Sequence, residues 1–105
     1  MTPTSTVPPF RVRDDDLHPH LVARMAQRGV TREEIERTVN EGWGAGDAKA
    51  GTSGSAMVFS FGAVWEGHYY DEKEVTVYYR HVSDRIVLLT VKARYGAGFS
   101  RKETS

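Results

Sequence analysis

The chain has 105 residues, with 14 basic and 14 acidic side chains, zero formal net charge and no cysteine. That length supports one domain with a modest core, and the missing cysteines exclude a disulfide framework or a thiolate metal site. The balanced charge counts against a domain held to nucleic acid by bulk attraction, so any such binding must come from a local patch.

No apolar run approaches membrane-spanning length, and the opening residues lack a basic region followed by an apolar core. A soluble cytoplasmic protein, with no membrane contact, is the expectation. Residues 1–9 carry three prolines and four Thr or Ser residues and read as a disordered lead. A single domain is expected over residues 10–98, followed by a flexible tail over residues 99–105. Phe10 to Arg13 suggests a short edge strand, with Phe10 and Val12 inward.

Asp14, Asp15 and Asp16 mark a helix start, since acids favour the positive end of a helix and Asp16 can cap it. The first helix is expected over residues 17–28, with Leu21, Val22 and Met25 as its buried stripe. His20, Arg24 and Arg28 recur every four residues and therefore share another face. Gly29 supplies a left-handed cap. Thr31 and Glu34 form a capping box for a second helix, with Val30 stapled onto Ile35. Ile35 and Val39 supply its core contacts, and Gly42 ends it. The two helices form a compact hairpin.

Residues 42–55 hold five glycines among small residues. Glycine backbone approaches phosphate closely and Lys49 adds a charge, yet no strand precedes the loop and no GK[ST] closes it, so it is not a P-loop. A flexible connection anchored by Trp43 is the plainer reading. Residues 57–65 are apolar on both sides and predict a central strand. Trp43 and Trp65 read as core anchors.

Residues 74–96 predict a β-hairpin turning near Ser83 and Asp84. A two-residue loop would mix core residues and charges on each face. A three-residue loop, Ser83 to Arg85, places Val75, Val77 and Tyr79 with Ala93, Val91 and Leu89. It also sets Glu74 opposite Arg94, Thr76 opposite Lys92 and Tyr78 opposite Thr90. The expected outcome is one apolar face and one polar face bearing Lys92, Arg94, Tyr78 and Arg80. Val82, Ile86 and Leu88 do not fit that sorting. The fold class that follows is α+β, a two-helix hairpin packed on a three- to four-stranded antiparallel sheet.

His20, Arg24, Met25, Arg28, Gly29 and Val30, followed by Thr31 and Glu34, resemble the opening of a bacterial domain-of-unknown-function family, the one numbered 4258. Gly42 and Trp43, Ala48 to Gly51, Trp65 to Gly67, Glu72 to Val75 and Thr90 to Gly96 are similar to one branch of it. The resemblance covers residues 10–96 and implies kinship with the RelE/ParE-like toxin fold. Fold alone fixes no activity. RelE-like ribonucleases place Lys, Arg and Tyr or His around one phosphate of mRNA without a metal. Arg94 and Tyr95 stand in comparable places, although Tyr95 alternates onto the apolar face unless a bulge re-aims it.

Cutting RNA through its 2′-hydroxyl needs a base, an acid and cations for the developing charge. His20 suits the proton transfers, and Lys92 and Arg94, with Tyr95, complete the candidate catalytic set. Lys49 and Lys73 are candidate phosphate contacts, Tyr78 is a candidate base-stacking platform, and Arg24, Arg28 and Arg80 are further candidate binding residues. Each has a plainer alternative: a solvated helix face for His20, Arg24 and Arg28, and cross-strand pairing with Glu74 for Lys92 and Arg94. His18, His68 and His81 are too scattered to suggest a metal, and no cofactor is expected. The sequence thus points to an endoribonuclease acting on RNA or the ribosome. Its alternatives are a catalytically silent module that binds an antitoxin-like protein, and a small-ligand pocket beside the Gly-rich loop.

Overall fold

In the computed structural model, which describes residues 9–101, a helix pair precedes a four-stranded antiparallel sheet. Apart from Pro9, the expected disordered lead lies outside the described residues. After a 3₁₀ turn, Asp14–Asp16, come α1 (Pro19–Arg28) and α2 (Arg32–Glu41). The strands β1 (Trp43–Gly44), β2 (Ser53–Trp65), β3 (His68–Val82) and β4 (Arg85–Gly96) follow, paired in sequence order. This is the α+β architecture expected from the sequence. Among the described residues no helix is long and apolar enough to cross a membrane.

Capping residues define the helix hairpin. Thr31 Oγ1 accepts the Glu34 N–H while the Glu34 carboxylate accepts the Thr31 N–H, the expected capping box. Gly29 ends α1 in the left-handed region, at φ 71°. A Cβ there would meet the Trp65 ring and the Tyr95 hydroxyl at about 2.7 Å, so glycine is required for space as well as for dihedral angle. The aspartates do not start α1. Asp16 instead accepts the Arg13 N–H within its own turn, and His18 caps the helix through a ring nitrogen that accepts the Leu21 N–H. Val22, expected in the buried stripe, is 47% exposed.

Residues 10–12 form no strand. Their backbone is held by side chains of α2 instead: Asn40 bonds both backbone groups of Phe10, Glu36 accepts the Val12 N–H, and Arg32 donates to the Val12 carbonyl. That segment drives Val12 into the core with Leu21, Val30, Ile35, Val75, Val77, Leu88 and Val91. The helices cover one sheet face; among the described residues the other carries none.

The hairpin register combines the two loop alternatives. Glu74 pairs with Arg94, Thr76 with Lys92, Val77 with Val91 and Tyr78 with Thr90, as the three-residue loop requires. Nearer the turn, Val82 pairs with Arg85 and Tyr79 with Leu88, as a two-residue turn requires. The shift falls between Tyr78 and Tyr79 and makes Leu89 the extra residue of a bulge. Leu88 is therefore buried where Leu89 was expected, and Ile86 joins it against the core. The misfit of Ile86 and Leu88 was the signature of this bulge.

Candidate functional site on the open sheet face

Strand alternation places Thr76, Tyr78, Lys92 and Arg94 together on the face without helices. With Trp43 and the loop residues Gly44 to Asp47 on one side and Ser100 on another, Thr76, Lys92 and Arg94 line a groove of about 750 Å³, and Tyr78 lines a smaller recess beside it. The expectation that Lys92, Arg94 and Tyr78 share a polar face is met. Its electrostatics differ from a bare cationic patch, because each cation has an acid.

Asp47 reaches into the groove from the Gly-rich loop. One carboxylate accepts both the Lys92 ammonium at 2.7 Å and the Tyr78 hydroxyl at 2.8 and 2.9 Å. Hydrogen bonds from Lys92 and then Tyr78 hold the Asp47 carboxyl below its ordinary pKa, and those to Asp47 and Tyr78 raise Lys92. Burial, the largest influence, raises the Tyr78 phenol. All three thus keep their usual charge states through neutral pH. Arg94 donates to Glu74 at 2.8 Å, and its guanidinium lies 4.7 Å from the centre of the Phe99 ring.

That last contact belongs to a tail expected to be flexible. The Phe99 N–H donates to Glu72 at 3.0 Å and Arg101 pairs with the same carboxylate, which fastens residues 99–101 at the groove's rim. Residues 102–105 lie outside the described residues.

His20 approaches from α1, around the outer edge of β4, with Nε2 3.3 Å from Thr90 Oγ1. Since Thr90 pairs with Tyr78, the imidazole stands one cross-strand pair from the Asp47 cluster. Lys49 lines a smaller recess of about 360 Å³ with Asp47, Thr52, Tyr78, Leu89 and Thr90. Lys49 and His20 therefore flank the same threonine.

The remaining candidates go elsewhere. Tyr95 is on the helix-covered face: its hydroxyl donates to the Arg28 carbonyl, and its ring stacks on Trp65 with centroids 5.0 Å apart. Burial, followed by the Glu34 and Glu66 charges, pushes its pKa up to about 12. Lys73, expected to contact phosphate, is 3% exposed and bonded to Glu34 and the Gly29 carbonyl. Alternation explains both, because Lys73 and Tyr95 are cross-strand partners on the core side. Arg80 is exposed towards the hairpin end, opposite Val87. Arg24 and Arg28 lie along α1, outside the groove; Arg24 donates to Gln27.

Asp47, Glu74, Thr90 and Trp43 were not singled out for the site from sequence. For Asp47 a signal existed, since it is the one acid among residues 42–55. The fold and groove define an α+β protein whose paired charges line an open sheet. Comparison with family models, curated proteins and solved structures returned no match.

Proposed function

We propose that the protein is a RelE-like, metal-independent endoribonuclease acting on single-stranded or ribosome-bound RNA, with the open-face groove as its site. The observation that supports this reading most is the Asp47 carboxylate, gripped at 2.7 Å by Lys92 and at 2.8 Å by Tyr78, with His20 one residue pair away. An ammonium and a phenol that converge on one anionic group also suit a phosphate oxygen. Asp47 occupies that position until RNA displaces it, and the surrounding glycines let its loop move away.

In the proposed reaction the ribose 2′-oxygen attacks phosphorus as its proton passes to the His20 imidazole. Lys92 and Arg94 neutralise the charge on the pentacoordinate phosphorus. The bond to the 5′-oxygen breaks as that oxygen takes a proton from Tyr78, leaving a 2′,3′-cyclic phosphate and a 5′-hydroxyl. The imidazolium then gives its proton to water and the phenolate takes one back, which restores both groups. Purified protein incubated with single-stranded RNA, and separately with mRNA on ribosomes, tests this. Cyclic-phosphate ends should appear with wild type and be lost with folded Lys92→Ala, Arg94→Ala and His20→Ala variants. Equal cleavage by wild type and all three variants overturns the assignment.

A second reading is a catalytically silent module that binds an antitoxin-like protein. It is favoured by the pairing of Lys92 with Asp47 and Arg94 with Glu74, which leaves the groove neutral. RNA then stays whole in both assays, and induced expression of wild type leaves growth unchanged.

A further inference from the structure

The groove's paired cations leave open how a neutral protein would hold a polyanion. An answer lies beside it. α1 runs alongside β4 in the same direction, as three contacts show: His18 with the Leu88 carbonyl, His20 with Thr90, and the Arg28 carbonyl with the Tyr95 hydroxyl. His20, Arg24 and Arg28, four residues apart, share the flank of α1 that meets the outer edge of β4. A helix rise sets that row at intervals of about 6 Å. The row Thr90, Lys92 and Arg94 follows the strand at about 6.6 Å. The two rows therefore advance almost in step.

Their charges differ in kind. Lys92 and Arg94 are ion-paired, whereas among the described residues Arg24 and Arg28 make no ion pair. The solvated face of an ordinary amphipathic helix mixes acids with its cations. α1 contains no acid, while Glu33, Glu34, Glu36 and Glu41 all belong to α2. The zero net charge conceals a basic helix at the sheet edge and an acidic one behind it. Arg24 is partly buried: its Nε is enclosed without a partner among the described residues and its Nη1 donates to Gln27 of the same helix, so the guanidinium is held at the helix flank with no acid beside it.

We infer that the α1 flank bearing Arg24 and Arg28 is a second binding site, which holds successive phosphates of a single-stranded RNA whose adjoining nucleotide enters the groove at His20 and Thr90. The choice of ligand rests on the ribonuclease reading of that groove. Lys49, across Thr90, contacts the strand where it crosses from ridge to groove. The free guanidiniums supply attraction, and the paired groove supplies a site that opens only when phosphate displaces Asp47.

The test measures anisotropy of a fluorescent oligouridine, and of the matching oligodeoxythymidine, against salt. The full chain is compared with Arg24→Gln/Arg28→Gln and with the off-ridge control Arg85→Gln. Loss of two phosphate contacts should weaken RNA binding at least tenfold at low salt. It should also flatten the logarithmic salt slope by about 1.4. Arg85→Gln should bind as wild type. Binding absent from wild type, an unchanged slope in the double variant, or an equal loss in the control overturns the ridge. Tighter or equal binding of the DNA oligomer keeps the phosphate track but overturns its assignment to RNA. The cleavage assay separates the two ideas: ridge-dependent binding of RNA that stays whole defeats the ribonuclease, not the ridge. Cleavage that needs Lys92 but ignores Arg24 and Arg28 defeats the ridge alone.

Discussion

The Lys73 ammonium lies 2.8 Å from the Glu34 carboxylate, with 3% of the lysine side chain and 19% of the glutamate exposed. This pair joins the middle of the sheet to the first turn of α2. Lys73 also donates to the Gly29 carbonyl and lies 5.6 and 5.7 Å from the ring centres of Phe61 and Tyr95. One cation thereby fastens the helix hairpin, β2 and β4 at a single point.

Breaking that pair from one side leaves a poorly solvated carboxylate. Lys73→Met should therefore cost ~3 kcal/mol in chemical denaturation. Adding Glu34→Gln removes the stranded charge while keeping a capping-box residue, and should restore part of the loss. A double variant no more stable than the single one would show that the pair is not what the lysine contributes.

Gly29 and Gly67 both have positive φ, at 71° and 86°, but only Gly29 is crowded by side chains. Gly67→Ala should cost ~1 kcal/mol from backbone strain alone. Gly29→Ala adds collision with Trp65 and Tyr95 and should lower the thermal midpoint distinctly further. Equal midpoints would mean that the aromatic stack moves aside freely.

Alkaline pH should weaken the fold through Tyr95. Its folded pKa, about 12, lies above the ordinary value of 10.0, so the unfolded chain gives up this proton first. The stabilisation is complete below pH 10 and is lost as pH rises through 12. Tyr78 is shifted in the same direction, chiefly by burial. Thermal midpoints should fall above pH 10, less so in Tyr95→Phe. A wild-type decline identical to that of Tyr95→Phe would remove Tyr95 as the cause.

Asp47 competes with any anion for Lys92 and Tyr78. Asp47→Ala should therefore bind the RNA oligomer several-fold more tightly, with the gain shrinking as salt screens the site. It should also return the pKa of Lys92 towards its ordinary value, measurable by NMR titration. Weaker binding by Asp47→Ala would show that the carboxylate organises the groove instead of blocking it.

Much of the fold was written in local chemistry. Thr31, Glu34 and Gly29 specify the helix hairpin through short-range hydrogen bonds and one left-handed residue, which need nothing from the rest of the chain. The alternation from Val75 to Val77 and from Val91 to Ala93 likewise set the register of the hairpin's far half, because a one-residue slip would turn charges into the core. Alternation also placed Lys92 and Arg94 outward together. The bulge at Leu89 was legible only as a misfit, since two adjacent leucines compete equally for one buried position until the turn chooses.

Partnership across long separations was decided by the tertiary structure. Lys73 and Lys92 are both lysines on neighbouring strands, yet one meets Glu34 across 39 residues and the other Asp47 across 45. Alternation turns Lys73 towards the core side and Lys92 away from it, but nothing near either in the chain distinguishes a cation tied to a helix acid from one met by a loop. That distinction depends on which sheet face the helices cover and on where a glycine-rich loop folds back. The sequence by itself determined the elements and the outward pair of cations. Only packing determined that those cations would meet carboxylates, and that Arg24 and Arg28 would be left beside them without ion pairs among the described residues.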